Sequence, residues 1–426
     1  MTGNVYDELK ERGFVAQVSD EEAVRKMLGT ERVTFYVGFD STATSLHAGS
    51  LVPIMAMVHL RRAGHRAIAV VGSGTTMVGD PSGKTEMRQM LDEATIRAQG
   101  QAILIQLARY LHFDGASAIA VDNADWLLPL RYIPFLRDVG RHFSVNRMLT
   151  AESYKIRLET GLSFLEFNYQ LLQAYDFLTL FREYHCTLQM GGQDQWGNIV
   201  AGTDLIRRKL NRPAYGVTFP LLLNASGQKF GKTAAGAVWL DEARTPVFDY
   251  YQFFRNTEDA DVARYLAFFT FLPMDEIKRL GALQPPLLNR AKEILAFEAT
   301  KLTHGREKAV QAYTSAVNQF GTADPRGEVP TSSEIAAIQV SAEDIIPATA
   351  LARAALEAGA DLIQLLVDAG LAPSKGEAKR LVQQGGVTVN GRRIEPGPCR
   401  LTLADLADGS LLIKAGKKRF HRFVVE

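Results

Sequence analysis

The sequence has little cysteine, no long apolar run and almost no net charge. Its 426 residues include two cysteines, Cys186 and Cys399, which lie too far apart to form a metal-binding spacing and suit a reducing cytosol. No apolar run reaches the about 20 residues that a membrane helix needs, and the acidic N-terminal residues are not those of a secretory signal. These absences predict a cytoplasmic globular protein, long enough for two or three domains.

The charge is unevenly distributed along the chain. The whole sequence carries a net charge of +1, which is not that of an obvious nucleic-acid binder. Residues 361–426, however, carry 11 Lys and Arg against 7 Asp and Glu. This asymmetry indicates a basic appendage on a near-neutral body.

Apolar, β-branched segments alternate with helical segments in the first half of the chain. Strands are predicted at residues 33–37, 66–71, 118–122 and 187–190, with helices between them that include residues 51–62. The alternation predicts an α/β fold with a doubly wound, Rossmann-type parallel sheet. In such a sheet, ligands bind at the carboxyl ends of the strands.

The turn between the first strand and the first long helix has the residues of a phosphate site. Gly49 lets a ligand approach the backbone at the helix start, where free N–H groups favour phosphate. His47 can donate to a phosphate oxygen. On these residues alone, a polar surface loop is an equally good interpretation.

The glycine-rich loop after the second strand is not a P-loop. Only three residues separate Gly79 from Gly83, and one of them, Asp80, would repel a phosphate. We interpret Asp80 as an acceptor for an ammonium group, although it is also a good turn-former. Lys84 and Arg88, which follow, are candidate phosphate contacts.

A polar stripe runs along an otherwise apolar helix predicted at residues 163–182. Tyr169, Gln173 and Asp176 fall at positions i, i+4 and i+7 and therefore share one face. Buried polar groups need partners, so the stripe is either a hydrogen-bond network between helices or the wall of a pocket for a small polar ligand.

Two later loops complete the set of candidate ligand contacts. Gly192 and Asp194 follow the fourth strand, where a carboxylate can bind ribose hydroxyls. The glycine-rich loop at residues 224–236 carries Lys229, Lys232 and Thr233, which could close over phosphates. Taken alone, a Lys-Gly loop is more often only solvated surface.

Together these segments resemble the signatures of class I aminoacyl-tRNA synthetases, and of tyrosyl-tRNA synthetases in particular. His47-Ala-Gly-Ser50 resembles the H-x-G-H signature, with Ser50 in place of the second histidine. Lys229-Phe-Gly-Lys232-Thr resembles the second signature, K-M-S-K-S, in its tyrosyl form. The run Gly-Gly-Gln-Asp-Gln-Trp-Gly-Asn at residues 191–198 is similar to a further family element.

The resemblance implies activation of L-tyrosine by ATP and transfer of the tyrosine to its tRNA, with Mg²⁺ accompanying the ATP and no protein-bound metal. It assigns the tyrosine α-ammonium group to Asp80, Tyr169 and Gln173, and the phenol hydroxyl to Tyr36 and Asp176. With Gln195 added, these are the implied tyrosine-binding residues. Implied ATP-binding residues are Gly38, Asp40, His47, Gly49, Ser50, Gly192, Asp194 and Lys232. Implied stabilisers of the transition state are Thr42, His47, Lys84, Arg88, Lys229, Lys232 and Thr233.

The C-terminal region resembles an S4-type RNA-binding module. A short helix, a basic helix and a Val-x-Val-Asn-Gly-Arg hairpin follow one another from residue 361. The candidate RNA contacts are Lys375, Lys379, Arg380, Arg392, Arg393, Lys417 and Lys418. A small surface-charged α+β domain without RNA contacts is the alternative.

The predicted organisation has four parts. They are a catalytic domain (1–223), the Lys-Phe-Gly-Lys-Thr loop with a helical domain (224–320), a linker-like stretch (321–350) and the S4-like domain (351–426). The family analogy adds a homodimer, with Phe164 as a candidate interface residue, and neither DNA nor a membrane as a partner.

Three other functions fit parts of the same pattern. A tryptophanyl enzyme is disfavoured because the pair Tyr36 and Asp176 suits a phenol. A synthetase-fold RNA-binding protein with weak or no aminoacylation activity agrees with Ser50 but not with the intact lysines of the second signature. A small nucleotidyltransferase does not account for the chain length or the basic C-terminal module.

Overall fold

The computed structural model describes residues 3–82, 90–233, 236–338, 348–397, 399–407, 409–416 and 419–425. The chain divides into two compact units, Met1–Ala309 with Arg326–Ile335, and Val310–Pro325 with Ala336–Glu426. None of the helices in the described ranges is long and apolar enough to cross a membrane.

A six-stranded sheet forms the centre of the first unit. Its strands are β1 Gln17–Val18, β2 Thr34–Asp40, β3 Arg66–Gly72, β4 Ala118–Asp122, β5 Cys186–Gly192 and β6 Tyr215–Phe219. Their order is β1-β6-β5-β2-β3-β4, and every pair is parallel except the edge pair β1–β6. The prediction of a doubly wound parallel sheet is confirmed, while β1 and β6 were not predicted.

Helices cover the sheet and connect its strands. They are α1 Val5–Glu11, α2 Glu21–Thr30, α3 Leu51–Arg62, α4 Ser73–Thr76, α5 Glu93–Leu111, α6 Ala124–Leu127, α7 Tyr132–Asp138, α8 Val145–Met148, α9 Glu152–Thr160, α10 Phe164–Phe167, α11 Tyr169–Tyr184 and α12 Trp196–Leu210. The single helix predicted at residues 163–182 is wrong in one respect. A capping box formed by Ser163 and Glu166 starts the separate short helix α10 before α11 begins.

The rest of the first unit is mainly helical, as predicted. It contains the short hairpin β7 Lys232–Thr233 and β8 Gly236–Ala237, then α13 Val247–Arg255, α14 Val262–Phe269, α15 Met274–Gly281 and α16 Leu288–His304. The division between the units falls within α17, Arg306–Phe320.

The linker-like interpretation of residues 321–350 is wrong for residues 326–335, which belong to the first unit. Thr331 and Ser332 hydroxyls donate to the Glu276 carboxylate at 2.6 Å, and the Ser333 hydroxyl donates to Glu298 at 2.6 Å. Ile335 is fully buried. Sequence composition missed this packing because the anchoring groups are polar and distant in sequence. Residues 339–347 lie outside the described part of the chain.

The second unit contains the basic C-terminal region. Its further elements are β9 Ala348–Leu351, α18 Arg353–Glu357, β10 Ala360–Asp361, α19 Leu362–Asp368, α20 Lys375–Gln383, β11 Val387–Val389, β12 Arg392–Arg393, β13 Arg400–Leu401, β14 Ser410–Ala415 and β15 Arg419–Val425. The predicted hairpin is confirmed. Asn390 and Gly391 both have positive φ, 48° and 79°, so the two-residue turn matches the twist of β11 and β12.

Candidate active site

A cavity of about 560 Å³ lies at the carboxyl ends of the central strands of the first unit. The sheet order changes direction between β2 and β5, which is where a doubly wound sheet opens a crevice for ligands. Thirteen of the predicted residues line this cavity: Tyr36, Gly38, Asp40, Thr42, His47, Ser50, Asp80, Tyr169, Gln173, Asp176, Gly192, Asp194 and Gln195. The fold therefore brings most of the predicted site together.

One end of the cavity is built for a hydroxyl group. The Tyr36 hydroxyl is buried and has no hydrogen-bond partner in the described part of the chain. Asp176 is buried nearby, and it accepts hydrogen bonds from Asn123 Nδ2 at 3.0 Å and from Trp126 Nε1 at 2.7 Å. Burial raises the pKa of Asp176 to about 7, although these two donors oppose the shift. A ligand hydroxyl is the group that this orphaned phenol lacks.

A second part of the cavity is acidic and hydrogen-bonded. Asp80 accepts from the Gln195 amide at 2.7 Å and from the Ser82 backbone at 2.9 Å, and its burial raises its pKa. The Tyr169 hydroxyl donates to Asp40 at 3.0 Å. The two carboxylates Asp40 and Asp80 both act electrostatically on Tyr169. This arrangement is complementary to a cationic group such as an ammonium.

Glycines at two strand ends make room for these groups. A Cβ atom at Gly72 would lie 2.3 Å from Asp40 Oδ1, so only glycine permits Asp40 its position. At Gly38, in contrast, a Cβ atom would meet nothing within 4 Å. Because Gly38 faces open space inside the cavity, a side chain there would occupy volume that a ligand needs.

The first-signature turn fixes the histidine. His47 Nδ1 accepts a hydrogen bond from the Gly49 backbone N–H at 3.0 Å. In a neutral imidazole the proton then lies on Nε2, which is the arrangement needed to donate to a ligand oxygen. Ser50, at the start of α3, lines the cavity but makes no capping hydrogen bond with its side chain.

Gly49 makes a close contact that the sequence did not predict. It is absent from the described lining of the cavity, and a Cβ atom on it would lie 2.8 Å from His47 Cε1 and 3.3 Å from the Phe230 carbonyl oxygen. Gly231, with φ of 81°, approaches the same place, because its Cβ position lies 2.7 Å from the Gly49 nitrogen. The two signatures, distant in sequence, are thus in direct backbone contact.

Of the basic side chains in the second signature, the structure describes that of Lys229, which does not line this cavity. Lys229 is exposed and lines a neighbouring cavity of about 640 Å³, together with Asn224, Gln228, Arg244 and residues of α13. Lys232 and Thr233 form β7, and only their backbone is described. Lys84 and Arg88 lie outside the described residues.

Sequence reasoning missed three polar contributors to the cavity. Asn123 and Trp126 hold Asp176, and buried Gln189 on β5 lines the cavity with an Oε1 atom that has no partner among the described residues. Asn123 directly follows β4, so its position at a strand end was an available signal. For Gln189, a polar residue inside an apolar strand was the signal.

The basic residues predicted for the second unit are exposed where they are described. Lys375, Lys379, Arg380, Arg392 and Arg393 all have exposed side chains. Arg392 pairs with Asp405 at 2.6 Å, and Arg393 donates to the Gly385 carbonyl at 3.1 Å. Lys417 and Lys418 lie outside the described residues. The ranges described contain no cluster of three or more His, Cys, Asp or Glu side chains that could hold a metal ion.

Comparison with known proteins agrees with this geometry. Residues 28–321 match the family described as tRNA synthetases class I (W and Y), and residues 339–423 match the tyrosine–tRNA ligase SYY-like C-terminal domain. The fold and the strand-end cavity therefore define a class I aminoacyl-tRNA synthetase.

Relatives of higher identity include tyrosine–tRNA ligases. The chain is 55% identical to a tyrosine–tRNA ligase of Desulfosudis oleivorans, over 99% of both chains, and 47% identical to that of Clostridium tetani, over 100% of both. A solved structure of a C-terminally truncated mitochondrial tyrosyl-tRNA synthetase from Aspergillus nidulans superposes with a TM-score of 0.67 at 30% identity. That match covers 75% of this chain and 94% of the other. The chain belongs to the tyrosine–tRNA ligase family.

Proposed function

We propose that this protein is a tyrosine–tRNA ligase that activates L-tyrosine with ATP and then transfers it to the 3′-terminal adenosine of its tRNA. The observation that carries the substrate assignment is the buried Tyr36 hydroxyl, which has no hydrogen-bond partner among the described residues and lies beside buried Asp176. A phenol hydroxyl placed between them can donate to Asp176 and accept from Tyr36. Phenylalanine, in contrast, would leave both groups unpaired.

The opposite part of the cavity suits the amino-acid end of the substrate. Asp80, Tyr169 and Gln173 lie where they can bind the α-ammonium group, and Gln195 orients Asp80 through its 2.7 Å hydrogen bond. The tyrosine carboxylate then attacks the α-phosphorus of ATP, forms a new C–O–P linkage and expels pyrophosphate. No covalent enzyme intermediate is required, because positioning and charge neutralisation do most of the work in such transfers.

The proposed ATP contacts are chosen by where the residues lie in the cavity. Gly38, Gly192 and Asp194 lie at strand ends, with Asp194 suited to ribose hydroxyls, and His47 and Thr42 lie beside the first-signature turn. Mg²⁺ accompanies the ATP as part of the substrate. Lys84, Arg88, Lys229, Lys232 and Thr233 are proposed to stabilise the pyrophosphate leaving group, and for Lys229 this requires a change in the position of its loop.

The function is tested by amino-acid-dependent exchange of pyrophosphate into ATP. We expect exchange with tyrosine and a preference over phenylalanine of about 10⁴–10⁵, a value established for a tyrosyl-tRNA synthetase rather than obtained from this cavity. Charging of tRNA with labelled tyrosine tests the second step. Comparable exchange with the two amino acids would refute the substrate assignment, and exchange without charging would favour the RNA-binding alternative.

The exposed basic residues of the second unit are proposed to bind the tRNA away from its reacting end. Deleting residues 348–426 should leave tyrosine-dependent exchange intact, because the cavity is formed within the first unit. Charging should fall strongly, and the remaining tRNA affinity should depend less steeply on salt. Loss of exchange in the truncated protein would place the domain boundary elsewhere.

A cytoplasmic homodimer is the proposed state. Ile133 on α7 and Phe164 on α10 are 63% and 69% exposed, and both helices border the small core formed by Met148, Tyr154 and Leu171. Exposed apolar side chains on neighbouring helices favour a subunit interface. Light scattering should show a dimer, and Phe164→Asp should shift it toward monomer, whereas Ile105→Asp, at an exposed apolar site on α5, should not.

A further inference from the structure

Arg244 and Trp239 form a stacked pair at the wall of the catalytic cavity. The Arg244 guanidinium carbon lies 3.4 Å from the centroid of the Trp239 ring. Trp239 lines the catalytic cavity, while Arg244 is exposed and lines the neighbouring cavity that contains Lys229. The pair thus stands between the two cavities, next to the loop of the second signature.

The position of the indole is fixed by backbone hydrogen bonds to the first-signature turn. The Ala48 N–H donates to the Val238 carbonyl at 2.8 Å, and the Leu240 N–H donates to the Leu46 carbonyl at 2.9 Å. Between these bonds, Trp239 pairs with His47 and presents its ring edge-on to the imidazole at 6.4 Å between centroids. These contacts fix the position of Trp239, and therefore of the Arg244 guanidinium stacked on it, relative to His47.

The Arg244 guanidinium has no ion-pair partner among the described residues, since none of their carboxylates lies within 4.0 Å of it. It donates one long hydrogen bond, 3.4 Å, to the Thr44 hydroxyl. The other arginine stacked in this region, Arg264 over Tyr265, is instead paired with Asp261 at 2.6 Å. A planar guanidinium with unused donors is suited to a phosphate oxygen.

The cavity itself creates the need for such a cation. The charged residues among its described lining are Asp40, Asp80, Asp176 and Asp194, with no lysine or arginine. Because Asp80 and Asp176 are assigned to the amino acid, the described lining offers a polyphosphate only the carboxylates Asp40 and Asp194 and no cation, so a cation at the rim favours its binding. Arg244 is at the rim, oriented by Trp239 and within reach of the loop that follows β2.

We propose that Arg244 binds a phosphate group at the mouth of the catalytic cavity and that Trp239 is its positioning residue. The proposal rests on the proposed function and adds a substrate contact to it. The phosphate belongs either to the triphosphate of ATP or to the 3′ end of the tRNA, and the same guanidinium chemistry serves both. The kinetic assays below distinguish the two sources.

Arg244→Gln removes the charge and keeps the length of the side chain. Arg62→Gln is the matched control, because Arg62 is also exposed and stacks on an aromatic ring, 4.1 Å above Phe271, at the end of α3 remote from the cavity. In the full-length protein, KM for ATP, KM for tyrosine and kcat are measured by exchange. KM for tRNA is measured by charging across a salt series, and the melting temperature is recorded for each variant.

If Arg244 binds ATP, Arg244→Gln should raise KM for ATP about tenfold, as expected for one charged hydrogen bond, with KM for tyrosine unchanged. If it binds tRNA, exchange should stay normal, KM for tRNA should rise, and the slope of log affinity against log salt should fall by about 0.7 to 0.9. Trp239→Leu, which removes the stacking surface, should cause part of the same loss of affinity. Arg244→Lys, which keeps the charge, should lose less affinity than Arg244→Gln.

Two results would overturn the proposal. One is kinetics of Arg244→Gln equal to those of Arg62→Gln. The other is a loss shared by tyrosine, ATP and tRNA together with a lower melting temperature, which would mean that the pair only supports the cavity wall. A wild-type protein without exchange or charging would instead contradict the proposed function itself.

Discussion

The strand-end cavity and the second-signature loop are built in opposite ways. In the cavity, buried side chains such as Asp176, which is 3% exposed, are held in place by hydrogen bonds from neighbouring side chains. The loop exposes Lys229 and is positioned through backbone bonds and the glycine contact between Gly231 and Gly49. On the proposed function, this difference means that the tyrosine-binding groups are preorganised, whereas Lys229, the described phosphate-binding lysine, lies on an exposed loop.

The largest expected effect comes from a substitution in the preorganised cavity. Asp176→Ala removes the proposed acceptor of the ligand hydroxyl, takes away the hydrogen-bond partner of Trp126 Nε1, and leaves Asn123 Nδ2 only its hydrogen bond to Thr75. The unpaired protein donors lower stability, whereas the lost contact between the ligand hydroxyl and a charged acceptor, which costs about 3 kcal/mol or more, should lower kcat/KM for tyrosine in pyrophosphate exchange about 10²- to 10³-fold. Circular dichroism and Asp176→Asn control for misfolding. A tenfold loss or less in a folded variant would show that the carboxylate is not a substrate contact.

Removing a loop charge should have a smaller effect, confined to the chemical step. Lys229→Ala and Lys232→Ala should each lower the single-turnover rate of tyrosyl-adenylate formation about 10²-fold, as removal of a transition-state donor does in other enzymes. Tyrosine affinity should stay near normal, since the cavity is untouched. Lys278→Ala, at an exposed lysine paired with Glu11, is the control. Normal rates in both loop variants would show that neither lysine contacts the transition state.

The pKa of Asp176 predicts a pH dependence of stability. Its pKa in the folded protein, about 7, is above the ordinary value of 3.8, so the folded state binds the proton more tightly than the unfolded state. The stability contributed by this group is therefore complete below about pH 4 and is lost as the pH rises toward 7, by at most about 1.4 kcal/mol per pH unit.

Asp176→Asn lacks this titration. Its free energy of unfolding, measured by urea denaturation, should therefore increase relative to that of the wild type between pH 5 and 7. Above about pH 8, the difference between the two free energies should stay constant. A difference that does not change with pH would show that Asp176 titrates normally.

The smallest effect tests the contact between the two signatures. Gly231→Ala introduces a side chain at a φ of 81° and places it 2.7 Å from the Gly49 nitrogen. Gly227→Ala, at a φ of 80° with nothing within 4 Å, introduces the same backbone strain without the contact. Both should cost about 1–2 kcal/mol of local strain, but only Gly231→Ala should also slow adenylate formation. Equal rates would mean that the glycine contact does not position the loop.

Local patterns determined a large part of this molecule. Apolar periodicity predicted α3 and β4 at their observed bounds, because each pattern depends only on neighbouring residues. The helical spacing of Tyr169, Gln173 and Asp176 predicted that they share one face, and all three line the cavity, which was one of the two interpretations of that face. The motif resemblance predicted the synthetase family, which the full-length relatives confirm.

Contacts between distant residues were decided only by the tertiary structure. The orphaned hydroxyl of Tyr36, the donors that Asn123 and Trp126 supply to Asp176, and the glycine contact between the two signatures all join segments far apart in sequence. The pairing of β1 with β6 and the packing of residues 326–335 within the first unit also join segments that are distant in sequence. Short-range patterns specify which face of an element is polar or apolar. Which partner meets that face depends on the energy of the whole packed arrangement, and no single segment contains that information.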